Sequence, residues 1–141
     1  MTDRVHRSTR RQVGALCWRE AASGIELVLV TSRDTGRWVT PKGHRMQGFP
    51  DPLAAAEEAY EEAGVRGAVG KVAIGVFHYD KRLSGKAVRN TAVDVYPLQV
   101  QTEYDDWPEA HQRSRRWFSQ TEAAQAVDEP ELKALLAAFT P

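Results

Sequence analysis

Three glutamates, Glu58, Glu61 and Glu62, stand close together in the run Leu-Ala-Ala-Ala-Glu-Glu-Ala-Tyr-Glu-Glu-Ala at 53–63. At about 100° of rotation per helical residue they fall within one arc of roughly 100°. Ala56, Ala59 and Ala63 lie opposite, with Leu53 and Tyr60 beside them. One face then packs through small residues while the other presents three carboxylates. Like charges at i,i+3 and i,i+4 weaken a helix by roughly a few tenths of a kcal/mol per pair, and no Lys or Arg within 53–63 relieves them. Two readings are open on these residues alone: a solvated acidic face, or a set of hard oxygen donors for a divalent cation. Mg²⁺ takes one or two carboxylates together with substrate phosphates and keeps some of its water, so the second reading is chemistry on a phosphate.

The neighbouring sequence must position that helix. Asp51 followed by Pro52 predicts its start, with an N-cap acceptor and then proline at the first helical position. Gly64 predicts its stop. Two glycines and two prolines in 42–52 read as a loop. Residues 13–18 and 25–31 read as strands joined by a turn at 21–24, and 38–39 as a short extended piece. Residues 72–79 and 92–100 read as further strands around a polar loop at 80–90, and 117–118 as a last short one. A Ser-x-x-Glu capping box, Ser119 to Glu122, opens a helix over 119–127. Pro130 opens another, with Leu132, Leu135, Leu136 and Phe139 at helical spacing. The class is mixed α/β, a sheet covered by helices.

Length and composition agree with one domain. The chain has 141 residues, 42% of them apolar and 27% charged, close to globular averages. The expected organisation is a basic segment over 1–11 and a single domain over 12–141. That segment carries Arg4, Arg7, Arg10 and Arg11 without an apolar stretch, so it does not read as a secretory signal, and it is short for a transit peptide. The lone Cys17 forms no internal disulfide, which suits a reducing cytoplasm. No apolar run approaches the ~20 residues of a membrane helix. Net charge is zero, 19 basic against 19 acidic residues, so no global field draws in nucleic acid. The charge is nonetheless grouped: basic residues at 33–45, 81–89 and 113–116, acidic ones at 57–62 and 103–109.

The stretch from Gly43 to Val65 resembles the Nudix box, with Gly43, Glu58, Ala59, Glu61, Glu62, Gly64 and Val65 in register. Phe49 stands where that box has its first acid, and Glu57 where it has an arginine. Thr31-Ser32-Arg33, Arg37-Trp38-Val39-Thr40-Pro41, Asp106-Trp107 and Arg113-Ser114-Arg115-Arg116-Trp117-Phe118 are similar to the diphosphoinositol polyphosphate phosphohydrolase branch of that family. The similarity spans roughly residues 10–125 of the 141.

The resemblance implies an α/β/α sandwich around a mixed sheet, and hydrolysis of a phosphoanhydride bond with Mg²⁺, or Mn²⁺, as cofactor. It makes Glu58 and Glu62 metal ligands, Glu61 a further ligand or, in the favoured assignment, the base that orients the water, and the Lys42 carbonyl a main-chain ligand. Arg10, Arg11, Arg33, Arg113 and Arg115 match or adjoin phosphate-contacting positions, with Thr31 and Ser32 as hydroxyl donors and Lys42, Gly43 and His44 where a polyanion would pass. Lys86 and Arg89 lie in a loop that is basic in that branch. The implied partner is a small, highly anionic molecule, a diphosphoinositol polyphosphate or a dinucleoside polyphosphate, rather than nucleic acid or a membrane. Because the box arginine helps to orient the carboxylates, its replacement by Glu57 calls for an arginine from elsewhere, and Arg45 is the nearest in sequence. The competing reading is a Nudix-fold module that binds a nucleotide or polyphosphate as a regulator without cleaving it.

Overall fold

The computed structural model describes residues 9–85 and 87–141; Arg4, Arg7 and Lys86 lie outside the described residues. In chain order the elements are β1 (Thr9–Ala21), β2 (Gly24–Thr31), β3 (Trp38–Val39), β4 (Lys42–His44), α1 (Asp51–Ala63), β5 (Val65–Val69), β6 (Gly75–Arg82), β7 (Val88–Glu103), β8 (Arg115–Ser119), α2 (Gln120–Ala126) and α3 (Pro130–Ala138). One sheet has the order β3-β2-β1-β7-β5, with β4 added to β1, β6 to β7 and β8 to β2. The long strands β1 and β7 run parallel, from Thr9 opposite Asn90 to Trp18 opposite Gln99. The other pairings are antiparallel, so the sheet is mixed as expected.

Alternation along β1 sends Val13, Ala15 and Cys17 to one face and Leu16 and Trp18 to the other. Cys17 lies near enough to Glu62 of α1 to feel its charge, and burial together with that carboxylate pushes its thiol pKa up, which leaves it inert. Trp18 meets Phe139, just past α3, at 5.7 Å between ring centres on the opposite face. Helices therefore cover both faces, and Leu27, Leu29, Val30, Phe77, Leu98 and Leu132 are buried between the layers.

β2 and β4 share one edge of β1: β2 pairs with it over Cys17–Ala21 and β4 over Gln12–Gly14. The edge changes hands at Ala15, whose N–H donates to the Pro41 carbonyl at 3.0 Å. The chain between β2 and β4 loops out and returns to set β3 against the end of β2, and residues of this connection line one wall of the cleft described below.

Several local expectations are corrected. The segment 42–52 is not all loop: Lys42–His44 pair with β1 as a strand. Pro50, not Asp51, is the N-cap of α1, because Asp51 is held by Arg45 at 3.0 Å and makes no cap bond. The strand β5 carries little signal in the sequence, because Gly67 and Ala68 at its centre are poor strand formers; its pairing shifts register between Arg66 and Gly67, with Gln101 the extra residue on β7. Gly67 is required there, as a Cβ would lie 1.8 Å from the Gln99 carbonyl oxygen. β6 begins at Gly75 rather than at 72 and continues to Arg82, and β7 begins at Val88, so most of the polar stretch 80–90 is a strand ribbon. On α1 the predicted faces are rotated: Leu53 is 47% exposed, whereas Glu62 is buried. The capping box holds, with Ser119 accepting from the Glu122 N–H at 3.1 Å.

Candidate active site

The end of α1 is clamped before any ligand is considered. Gly64 takes the left-handed conformation, φ +67°, and its N–H closes on the Tyr60 carbonyl. The last carbonyls of a helix have no partner within it. Here Trp107 Nε1 donates to the Glu62 carbonyl at 3.0 Å and Arg115 to the Ala63 carbonyl at 2.9 Å. The Glu109 N–H donates to the Glu61 carbonyl at 3.0 Å. Three contacts from the 104–115 region thus fix the pitch at which Glu58, Glu61 and Glu62 leave the helix.

Those three carboxylates line a cleft of about 500 Å³ together with Glu109. Glu58 lies against the backbone of Gly43: a Cβ there would meet its carboxyl carbon at 2.2 Å. Only glycine lets the carboxylate approach β4 so closely. Burial, then the charges of Glu62 and Glu61, raise the Glu58 pKa to about 7. Glu62 is pushed to about 7 by burial, against the lowering influence of Arg113 and Lys42. Glu61 is the most open of the three, and it too is raised, by burial and then by Glu57 and Glu109.

Arg113 holds the centre of this arrangement. Its Nη2 donates to Glu62 at 3.1 Å, its Nε to Glu109 at 2.7 Å and its Nη1 to the Thr31 carbonyl at 2.9 Å. Only 8% of the side chain is exposed. Each of the three guanidinium nitrogens is engaged, so Arg113, which also lines the cleft, orients two site carboxylates. Arg45 does not take that place: it is turned outward onto Asp51. Glu57, at the position of the missing arginine, points away to Arg66 at 3.9 Å. Phe49 sits in a separate shallow hollow with Leu53, Ala56 and Glu57.

The structure gathers part of the expected substrate set. Ser32, Arg33, Lys42, Gly43 and His44 line the cleft. Burial, then Lys81 and Arg10, lower the His44 pKa. Burial also lowers that of Lys42, although Glu62 and Glu129 pull it back up. Four residues are placed otherwise. Arg11 faces the opposite side of the sheet from Gln12 and pairs with Asp94, because neighbours on a strand alternate. Arg115 is spent on the helix end and stacks 4.0 Å over Trp107. Thr31 ties two strands together, its hydroxyl accepting from the Ser114 N–H at 2.8 Å. Arg10 is exposed at the start of β1 and does not line the cleft.

Other lining residues were not assigned from sequence. Glu109 is the clearest, and its signal was the acidic run at 103–109. Lys81 and Arg82 belong to the basic stretch at 81–89, and they end strand β6 rather than lying in a loop. Gln12, Tyr79 and Glu129 had no sequence signal, because only folding brings β1, β6 and the start of α3 to one place.

The donor set suits a hard cation. Glu58, Glu61 and Glu62 offer oxygen ligands, and the mutual repulsion that raises Glu58 is what a cation would relieve. Among the described residues, no three acidic, His or Cys side chains close around a single point. Glu62 is drawn to Arg113 and to the Lys42 N–H at 3.2 Å, which holds it off its neighbours. Mg²⁺, satisfied by one or two carboxylates plus water and phosphate, does not require such a cage.

The NUDIX domain model matches residues 8–139. The chain belongs to the Nudix family, whose class is that of phosphoanhydride hydrolases. Diphosphoinositol polyphosphate phosphohydrolase 3-beta of Homo sapiens is 30% identical over 120 residues, 84% of this chain and 69% of that protein. A C. elegans Ap4A hydrolase structure superposes with a TM-score of 0.61 at 23% identity, covering 91% of this chain and 93% of that one. The E. coli dihydroneopterin triphosphate pyrophosphohydrolase superposes with a TM-score of 0.69 at 13% identity, covering 92% and 93%. At these identities the two structures speak for the fold.

Proposed function

We propose that this chain cleaves a phosphoanhydride bond of a highly anionic, diphosphate-linked small molecule, a dinucleoside polyphosphate or a diphosphoinositol polyphosphate, with Mg²⁺ or Mn²⁺ held by Glu58 and Glu62. The observation that carries the reading is a single cleft lined both by the carboxylates of Glu58, Glu61, Glu62 and Glu109 and by the cations of Arg33, Lys42, Lys81 and Arg82. A polyphosphate needs both walls: cationic side chains for its outer oxygens and carboxylates that would hold a divalent metal.

Each wall has a distinct task. A cation bound there would neutralise phosphate oxygens and make coordinated water more acidic. Glu61, raised and the most open of the three, is the base that takes the proton from the attacking water. Glu58 and Glu62 are the ligands, with Gly43 and Arg113 setting their positions and the Lys42 carbonyl as a main-chain donor. Arg33, Lys81 and Arg82 stabilise the charge that develops on the phosphate oxygens. No helix among the described residues is long and apolar enough to cross a membrane.

The test is product analysis with Mg²⁺, and separately Mn²⁺, on a dinucleoside polyphosphate and a diphosphoinositol polyphosphate. Cleavage by the parent that disappears in Glu62→Gln supports the reading. Tight binding of either compound without product would put the regulatory module in its place.

A further inference from the structure

The two positions at which the chain departs from the Nudix box, Phe49 and Glu57, fall in one place. Both line a hollow of about 260 Å³ with Leu53 and Ala56 of α1 and Gly67 and Val69 of β5, and none of these residues lines the cleft. Leu53, Ala56, Glu57 and Tyr60 follow at i, i+3, i+4 and i+7, the spacing of a helical stripe that is ordinarily covered. Here the stripe is open at its start, where Phe49 and Leu53 are 41% and 47% exposed.

Beside the hollow runs an open strand edge. Among the described residues β5 pairs with β7 and with no other strand. The Gly70 N–H donates to the Pro97 carbonyl and the Tyr104 N–H to the Gly64 carbonyl, each at 2.8 Å. Backbone groups alternate in direction along an antiparallel pair, so Gly67 and Val69 turn their N–H and C=O groups away from β7. The extra residue of the register shift, Gln101, lies on β7, so the outer edge of β5 stays regular. Proline and protruding charge are the usual means of blunting an edge. β5 has no proline, and its one charge is folded back, with the Arg66 guanidinium 3.8 Å over the Tyr60 ring.

We propose that this face is an interface for a second copy of the chain, in which two β5 strands pair antiparallel about a two-fold axis at Gly67 and the Phe49 and Leu53 side chains of the two α1 helices meet. An antiparallel strand is its own complement, so one symmetry operation makes both contacts. The charges favour a copy over an unrelated extended peptide. Arg66 adjoins the axis and paired strands lie about 4.8 Å apart, so Glu57 of each copy comes within reach of the other copy's Arg66, and charges of opposite sign alternate round the axis. Within one chain Glu57 and Arg66 meet only at 3.9 Å, and both are partly exposed. Net charge is zero, so no long-range repulsion holds two copies apart. The cleft stays open in such a dimer, because the hollow shares no residue with it.

Sedimentation velocity of the full chain tests this, with circular dichroism to show that each variant is folded. At about 10–100 μM, where a micromolar Kd populates the complex, the parent should sediment at twice the 15.8 kDa of one chain. Leu53→Asp should weaken association about tenfold or more, since it buries a carboxylate against its own copy. Glu57→Arg alone and Arg66→Glu alone should each lose the dimer, because the charges at the axis become alike. Mixing those two variants should restore it, as each supplies the sign that the other lacks. A pair that acts only inside one chain predicts no recovery on mixing, and the mixing experiment carries the test if Leu53→Asp does not fold. A folded parent that is monomeric throughout that range overturns the interface and leaves the groove to a different protein. A dimer that tolerates Leu53→Asp, or whose charge variants stay dimeric alone, overturns it too by placing the contact elsewhere.

Discussion

Removing Arg113 should destabilise the protein in a way that grows with pH. Its guanidinium and the Glu62 carboxylate are only 8% and 9% exposed, so the pair is screened little by solvent. Breaking a buried pair from one side costs about 3–5 kcal/mol, because the remaining charge is left without compensation. Unfolding entropy near 2.1 cal/mol/K per residue gives about 0.3 kcal/mol/K for a chain of this length, so Arg113→Leu should lower Tm by roughly 10–17 °C at pH 8.5. The pH dependence follows from Glu62. Burial raises its pKa to about 7 even with Arg113 opposing, and without Arg113 it rises further. A carboxyl raised on folding stabilises the protein fully below its unfolded value, and that stabilisation is lost as pH climbs through the folded value. At pH 5.5 Glu62 is protonated in parent and variant alike, so only hydrogen bonds and packing are lost. At pH 8.5 the parent holds an ion pair and the variant an isolated charge. The gap between the two pH values should be about 1.4 kcal/mol for each unit by which the pKa rises further. Thermal or urea unfolding of both proteins at both pH values measures it, and Glu62→Gln in the Arg113→Leu background should restore part of the loss at pH 8.5. A destabilisation independent of pH, with no recovery in the double variant, would refute this account of how the carboxylates are held.

Two further outcomes follow from the same geometry. Because Glu58 and Glu62 titrate near 7, divalent metal binding at pH 6 should release protons, and the affinity should rise from pH 6 to 8. Calorimetry with Mg²⁺ or Mn²⁺ in buffers of different ionisation enthalpy detects this, and an affinity flat across that range contradicts the assignment. Gly43→Ala places a Cβ 2.2 Å from the Glu58 carboxyl carbon, the far end of a flexible side chain that can swing aside. It should leave Tm within about 3 °C while reducing kcat at least about tenfold, from displacement of a ligand that turnover needs; a kcat unchanged from the parent would sink the role given to that approach.

Much of the site was legible in the chain because its signals are local. The spacing of Glu58, Glu61 and Glu62 needs only the pitch of a helix, and Gly64 needs only its left-handed turn. Arg113 was legible as a cation but not as a partner of Glu62, 51 residues away. Arg45 was the closer choice along the chain, yet it projects outward onto Asp51. Arg115 looked equally suited to phosphate until the fold placed it under the unpaired carbonyls of α1. The strand β5 was hidden for a related reason: Gly67 belongs to a sheet only because of the approach of Gln99.

By itself, then, the sequence determined the class of fold and the acidic helix with its stop, since each is written in periodicity or in residues a few positions apart, while the phosphoanhydride chemistry came with the resemblance of Gly43–Val65 to the Nudix box. Tertiary structure alone decided which charges are compensated. Arg113 finds Glu62 and Glu109, Glu57 is turned away to Arg66, and Glu129 is left in the cleft without a donor. Charge compensation acts through space over a few ångströms, and in a mixed sheet those few ångströms join residues whose separation along the chain carries no trace of the contact.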